Sequence, residues 1–285
     1  MIHHKYLQIN IVEHCTLRCR GCVTYSEYSP PIFYSVDNFK KDIFRLTKVL
    51  KTDVLFFLGG EALLHPDIVK FLTIAKESKI AKEIKVLTNG QLLRKQSDQF
   101  FAFVDTIEVS VYPSTIIDYD KVFALLEEKS KVHNFKIERT EWPNFIEGID
   151  IPYRQTPEET QQVFNRCGAH LITSKCHGIL NGYYYKCYKP YRQARLMKDN
   201  NIEIIDDFIS EDGLYLHDDN LEERLNEYLT LQKPLKTCYY CKGWDKRDIN
   251  VIHDPAYTLD WKPHEQLPRK RPEGYPFNMA IKREI

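Results

Sequence analysis

The 285-residue chain carries no excess of charge of either sign, with 40 Lys+Arg against 40 Asp+Glu. A balanced chain lacks the basic face that holds a nucleic-acid backbone, so no nucleic-acid partner is expected. The most basic stretch, "PRKRPEGYP" at 268–276, is short and flanked by proline, and reads as a solvated tail. No run approaches the roughly 18–20 apolar residues of a membrane span. The start, "MIHHKYLQINIVEHC", has neither the apolar length nor the cleavage site of a secretory signal. A cytoplasmic protein with no membrane partner is therefore expected. Glycine is modest at 11, and neither a P-loop nor a Rossmann glycine pattern occurs. The histidines show no H-x3-H or H-E-x2-H spacing, which removes support for metal hydrolysis. Internal repeats and low-complexity tracts are absent.

What is present is aromatic residues (Tyr 18, Phe 15, Trp 3) and eight cysteines. The length suits one large α/β domain, or a domain of about 200 residues with a small appendage. In a cytosolic chain, that many cysteines point to metal or redox chemistry rather than to a disulfide scaffold.

Apolar, β-branched runs alternate with helical periodicity through the first half. "YLQINIVEH", "TDVLFFLGGE", "AKEIKVLTNG", "DTIEVSVYPS" and "FKIERTEWP" read as strands. "VDNFKKDIFRLTKVL", "PDIVKFLTIAKES", "QLLRKQSDQFFAFV" and "DYDKVFALLEEKSKV" read as the helices between them. Repeated βαβ units predict a parallel sheet, open or closed into a barrel, with its chemistry at the carboxyl ends of the strands. Those ends carry Cys15, Gly59-Gly60-Glu61, Thr88-Asn89-Gly90, Tyr112-Pro113-Ser114 and Glu141-Trp142. Beyond about residue 155 the pattern changes. "TPEETQQVFNRC" predicts a capped helix, a hairpin is expected about Asn181-Gly182, and "LEERLNEYLTLQ" predicts another helix before "KTCYYCKGW".

Cys15, Cys19 and Cys22 stand in a C-x3-C-x2-C spacing on one loop leaving the first strand. Three thiolates are one short of a structural zinc site or an ordinary cluster, and on a cubane they leave one iron open. The bland alternative pairs two of them with "CYYC" at 238–241 in a zinc ribbon. At the end of the next strand stands "GGE" (59–61), where glycines permit close backbone approach and Glu61 offers a carboxylate to an ammonium group.

In order and spacing, residues 6 to about 145 resemble the radical S-adenosylmethionine (radical SAM) enzymes. The resemblance implies a partial (β/α)6 barrel over 1–155, with Cys15, Cys19 and Cys22 holding a 4Fe-4S cluster. By it, S-adenosylmethionine takes the fourth iron, Gly59, Gly60 and Glu61 contact the methionine amine, and Asn89 and Ser110 contact the carboxylate or ribose. One departure stands out: Gly21 occupies the usually aromatic position before the last cysteine, which leaves Tyr25 or rim backbone to support adenine.

Cys167, Cys176, Cys187, Cys238 and Cys241 lie in the second half. Their arrangement resembles the twitch or SPASM-type extension in its short form, a β-hairpin and helix over 156–250 holding one auxiliary 4Fe-4S cluster. Cys187, Cys238 and Cys241 would be joined by Cys167, whose spacing matches better, or by Cys176, which the hairpin register puts across from Cys187. A zinc-stapled hairpin has the same cysteine geometry. Cys176 has two further readings, a buried bystander or a hydrogen-atom donor. Residues 251–285 are expected to form an irregular tail.

What the family implies is reductive cleavage of S-adenosylmethionine to a 5′-deoxyadenosyl radical that takes hydrogen from an unactivated C–H. With an auxiliary cluster as electron acceptor, the expected outcome is oxidation of an alcohol on a small polar substrate, such as a sugar, nucleotide sugar or aminocyclitol. The segment "DGLYLHDDNLEERLNEYL" also resembles, more loosely, radical SAM proteins of sugar and glycan pathways. Peptide modification, redox-neutral epimerisation and a non-catalytic iron–sulfur or zinc module are the rivals. A flavodoxin or ferredoxin-type reductant is implied. Candidate catalytic or substrate-binding residues are Glu108, Tyr112, Arg139, Glu141, Trp142, Arg154, His170, Cys176, Lys189 and Arg192.

Overall fold

Strand β1 (Ile2–Val12) buries Leu7, Ile9 and Ile11 and leaves Tyr6, Gln8 and Asn10 half-buried on the opposite face, the period-two signature of a strand with two environments. The computed structural model of the protein describes residues 1–19, 22, 24–26, 29–145, 154–168, 177–199, 205–243, 251–252 and 255–258. Strands β3 (Leu50–Gly59), β4 (Ala81–Thr88), β5 (Thr106–Val111) and β6 (Lys136–Glu141) follow β1 in parallel register, as the alternation predicts. Ile9, Phe57, Val86 and Ile107 lie side by side in that register, and all are fully buried. Their row is the floor on which the helices pack.

The helices begin where the sequence provides caps. Ser35 accepts from Asn38 N–H at the start of α1 (Val36–Leu46), and Asp118 accepts from Lys121 N–H at the start of α4 (Tyr119–His133). Helix α2 (Ile68–Ser78) buries Phe71 and Leu72. Thr156 and Glu159 form a reciprocal capping box on α5 (Pro157–Arg166). "QLLRKQSDQFFAFV" is not one helix: a 3₁₀ turn (Leu93–Lys95) precedes α3 (Asp98–Phe103). Ser97 is extended there and caps α3 by accepting from Phe100 N–H, so the local cap overrides the periodicity.

The hairpin forms at the expected turn. Strands β8 (Gly178–Leu180) and β9 (Tyr183–Tyr185) pair Leu180 with Tyr183, and Asn181 and Gly182 take left-handed φ values of 49° and 84°. It does not stand apart from the barrel. β8 runs parallel to β1, with Ile179 opposite Ile9, and β10 (Gly213–Tyr215) adds beyond β9. The result is one eight-stranded sheet, β10-β9-β8-β1-β3-β4-β5-β6, whose sixth parallel strand comes from the hairpin. A Cβ on Gly178 would lie 2.5 Å from the Gln8 carbonyl oxygen, so glycine permits this docking. Ile179, Tyr184, Leu214 and Leu225 join the same core as Leu7 and Ile9. Without the hairpin, the outer edge of β1 would be left unpaired.

The tail departs from irregularity where it is described. Val251–Ile252 pairs antiparallel with the short strand Asn144–Phe145, and Pro255–Thr258 pairs with β2 (Leu17–Cys19), whose edge offers free backbone groups. No helix among the described residues is long and apolar enough to cross a membrane.

Candidate cofactor site

The carboxyl ends of β1 and β3 meet at the sheet's rim. Gly60 N–H donates to the Val12 carbonyl at 2.8 Å, and Glu61 N–H donates to the His14 carbonyl at 2.9 Å. A Cβ on Gly60 would sit 2.2 Å from the His14 carbonyl oxygen, and one on Gly59 would sit 2.2 Å from that of Val12. The close approach that needs these glycines is therefore between backbone and backbone.

Glu61 is 1% exposed. Its Oε1 accepts from Leu63 N–H at 3.0 Å and from the Thr88 hydroxyl at 2.8 Å, and its Oε2 accepts from Asn89 N–H at 2.8 Å. Burial pushes its pKa up against the pull of those three bonds. With two lone pairs per oxygen and one donor from the described residues, Oε2 keeps one acceptor position open.

The Asn89 side chain donates to Thr16 Oγ1 at 2.8 Å and toward Cys15 Sγ at 3.8 Å. Asn89 thus braces the cysteine loop. Leu17 N–H donates to Cys15 Sγ at 3.4 Å, and Cys22 Sγ lies 3.1 Å from Thr24 Oγ1. Burial raises the Cys15 pKa, with Glu61 and Cys22 adding to it. The Tyr112 pKa is also raised, by burial first and then by Cys19, Cys22 and Cys15, so all three thiols bear on one half-buried ring.

Among the described residues no three of His, Cys, Asp and Glu lie close enough together to hold a single metal ion. A cubane takes one thiolate per iron corner and so uses a wider set. The loop fits it: three thiols from one segment, N–H and amide donors at a sulfur, and burial that disfavours bare thiolates until metal replaces the proton.

The other candidates divide by face. Glu108 and Ser110 share a face of β5, and Glu108 Oε1 accepts from the Thr140 hydroxyl at 2.8 Å. Lys85 Nζ lies 2.7 Å from Glu138 and 3.5 Å from Glu108, a buried cation between two carboxylates. Arg139 and Glu141 are exposed and pair with each other at 2.8 Å, and the Arg139 guanidinium lies over the ring of Phe123 of α4. They occupy the helix side of the sheet because they alternate with the interior-facing Glu138 and Thr140. Trp142 is exposed. Arg154 pairs with buried Asp206 at 3.0 Å and stacks over Tyr239 at 3.8 Å, which commits it to the CYYC segment. Gly21, His170 and Cys176 lie outside the described residues. Tyr25 is buried, and its hydroxyl accepts from Lys189 Nζ at 2.9 Å.

The helix Lys189–Asp199 joins the rim to the second set of cysteines, a role its sequence did not suggest. On one side Arg192 donates to Asn10 at 3.1 Å, and Arg195 pairs with Glu13 and donates to Ser29 at 2.6 Å. On the other, Gln193 donates to the Tyr240 carbonyl at 2.8 Å and accepts from Thr237. The signal available was the three-residue spacing of Lys189, Arg192 and Arg195, which aligns cations on one helical face.

The second set gathers about the 3₁₀ turn Lys236–Tyr240. Gln155 Nε2 donates to the carbonyls of Cys238 at 3.2 Å and Cys241 at 2.9 Å. A Cβ on Gly243 would lie 3.5 Å from the Cys167 Cβ, and Gly243 N–H donates to Cys241 Sγ at 3.3 Å. The Cys238 pKa is raised by burial, by Cys241 and Asp212, and by Cys167. Cys187 lies near Tyr228, whose pKa it helps to raise.

Residues 9–112 match the family model described as the Radical SAM superfamily. This stretch is similar to radical SAM domains. Molybdenum cofactor biosynthesis protein 1 of Dictyostelium discoideum is 26% identical over 150 residues, 47% of this chain and 23% of that protein. GTP 3',8-cyclase of Chlorobaculum tepidum is 31% identical over 108 residues, 37% of this chain and 32% of the cyclase. The aligned stretch thus spans less than a third of either relative. BtrN in complex with AdoMet and 2-DOIA is 13% identical, covering 87% of this chain and 98% of BtrN at a TM-score of 0.49. anSMEcpe with bound AdoMet is 12% identical, covering 81% of each chain at 0.46. Superpositions this loose carry nothing about substrate.

Proposed function

We propose that the chain is a radical SAM oxidoreductase that takes a hydrogen atom from a small polar substrate, a sugar, nucleotide sugar or aminocyclitol, and oxidises one of its alcohols. The observation that carries the reading is the Glu61–Asn89–Cys15 chain of contacts, which ties the GGE turn to the cysteine loop within the stretch that matches the family. Cys15, Cys19 and Cys22 would hold a 4Fe-4S cluster, and the open acceptor of Glu61 would meet the methionine amine. Cys187, Cys238, Cys241 and Cys167 would hold an auxiliary 4Fe-4S cluster within residues 156–250. When bound, these groups supply hydrogen-atom abstraction and an acceptor for the electron left on the substrate. The chain's own part is positioning and exclusion of water: Ser110, Glu108 and Thr140 present polar groups on the sheet face opposite the apolar core. A flavodoxin or ferredoxin-type protein would supply electrons.

Nucleotide cyclisation is a second reading, favoured by the 31% identity to GTP 3',8-cyclase over 108 residues. Peptide modification and epimerisation with Cys176 as hydrogen donor are further rivals. The test is a substrate screen with anaerobically reconstituted protein, S-adenosylmethionine and dithionite. A sugar or aminocyclitol should raise 5′-deoxyadenosine release and yield a product two hydrogens lighter. Stimulation only by GTP or by peptides, or an isomer of unchanged mass, would reject the oxidation.

A further inference from the structure

Arg192 is 3% exposed and only partly paired. Its Nη2 donates to Asn10 Oδ1 at 3.1 Å, while its buried Nη1 has no hydrogen-bond partner among the described residues. No carboxylate among them forms an ion pair with it. Arg192 lines a small open-mouthed pocket, about 20 Å³ in volume, shared with Gln8, Asn10, Glu13, Tyr188 and Tyr191. This pocket lies between β1 and the hairpin, and its Glu13 wall is two residues before Cys15.

A buried guanidinium with an unmet N–H is costly, and a carboxylate or phosphate oxygen relieves that cost by accepting from the fork. Glu13 is on the pocket wall, but its carboxylate is paired with Arg195. Lys189, one turn before Arg192 and also 3% exposed, adds positive charge and donates to the Tyr25 hydroxyl. Beside the apolar Ile179 and Leu180, the wall brings the amides of Gln8 and Asn10 and the phenols of Tyr188 and Tyr191, groups that can hydrogen-bond a polyol.

We infer that the substrate carries an anionic group, a carboxylate or a phosphate, and that Arg192 binds it through its unmet Nη1. The inference rests on the reading of this rim as the reaction chamber. It narrows the substrate to an acidic or phosphorylated polyol.

The test titrates anaerobically reconstituted holoprotein, with S-adenosylmethionine present, by calorimetry with inorganic phosphate, with acetate and with neutral glucose. One anion should bind saturably, and which one tells phosphate from carboxylate. Arg192→Gln should weaken it about ten- to a hundredfold, the worth of one charge-assisted hydrogen bond, and Arg192→Lys by less. Iron content and near-UV circular dichroism establish whether the glutamine variant is folded. If it is not, Arg192→Lys decides, and undiminished anion binding there overturns the inference. So does failure of both anions to bind the wild type. So does anion binding unchanged in Arg192→Gln alongside a shifted electron paramagnetic resonance signal of the reduced first cluster, which would make Arg192 a counter-charge to the cysteine loop. Failure of the wild type to cleave S-adenosylmethionine would sink the proposed reaction instead, whatever anions bind.

Discussion

Glu61 Oε2 accepts a hydrogen bond from the backbone N–H of Asn89 at 2.8 Å, and so fixes the end of β4 against the end of β3. The same asparagine reaches on to Thr16 and Cys15. A single buried carboxylate therefore sets the position of the loop on which the first cysteine stands.

Glu61→Gln tests that arrangement. Gln offers an N–H₂ where three donors converge, so at least one buried donor is left unpaired at a cost of about 2–3 kcal/mol. The melting temperature should fall by roughly 4–8 °C, and affinity for S-adenosylmethionine by tenfold or more. Anaerobic thermal unfolding and equilibrium dialysis measure both. An unchanged affinity would show that the rim does not depend on this carboxylate.

Gly60→Ala probes the backbone approach directly. The new Cβ would sit 2.2 Å from the His14 carbonyl oxygen, and both partners are main chain, so the β3 end must move away from β1. Far-UV circular dichroism should stay close to wild type, while 5′-deoxyadenosine formation should drop at least tenfold.

Asp42 holds the hairpin turn to α1. Its carboxylate accepts from Gly182 N–H at 2.8 Å and from the Tyr34 hydroxyl, and lies 2.7 Å from His217 Nε2. Asp42→Ala should cost about 3 kcal/mol by leaving these buried groups unpaired. Faster hydrogen exchange at the Gly182 amide, with little change at Ile107, is the local signature.

Acid should destabilise the protein partly through His4. Burial, and then His3, lower its pKa from 6.5 to about 4, and its Nε2 bonds to the Tyr184 hydroxyl at 2.8 Å. The unfolded chain takes the proton near pH 6.5 and the folded chain only near 4, so stability is full above that window and falls as pH drops through it. His4→Gln should flatten the decline in melting temperature between pH 7 and pH 5. An unaltered slope would assign the effect elsewhere.

Much of this architecture was legible because local chemistry and global fold agree. The five N-terminal strands, the Thr156 capping box and the Asn181-Gly182 turn each form where their residue types favour them. The helix Lys189–Asp199 was not legible, because its buried positions are Lys189, Pro190, Arg192, Gln193 and Met197, and a largely polar buried face leaves no apolar stripe. β10 is three residues long and forms only because β9 offers it an edge. Within the site, "GGE" and Asn89 stand where the ends of β3 and β4 meet. Their partners, the His14 carbonyl, Thr88 and Thr16, are set by how strands abut, which spacing alone does not encode. Arg139 and Arg154 carry charge that could meet a substrate, but the structure commits them to Glu141 and Asp206.

The second set of thiols can be apportioned by iron. Cys167→Ala should remove about four of about eight irons, since Cys167 would ligate the auxiliary cluster, whereas Cys176→Ala should keep all of them. The reverse result would exchange the two residues' roles.

The most direct measurement is 5′-deoxyadenosine formation by anaerobically purified protein given dithionite and S-adenosylmethionine, beside the variant with Cys15, Cys19 and Cys22 all changed to Ala. The wild type should be brown, hold about eight irons per chain and form 5′-deoxyadenosine; the variant should keep about half the iron and form none. Zinc without iron in the wild type, or undiminished cleavage by the variant, would contradict the account.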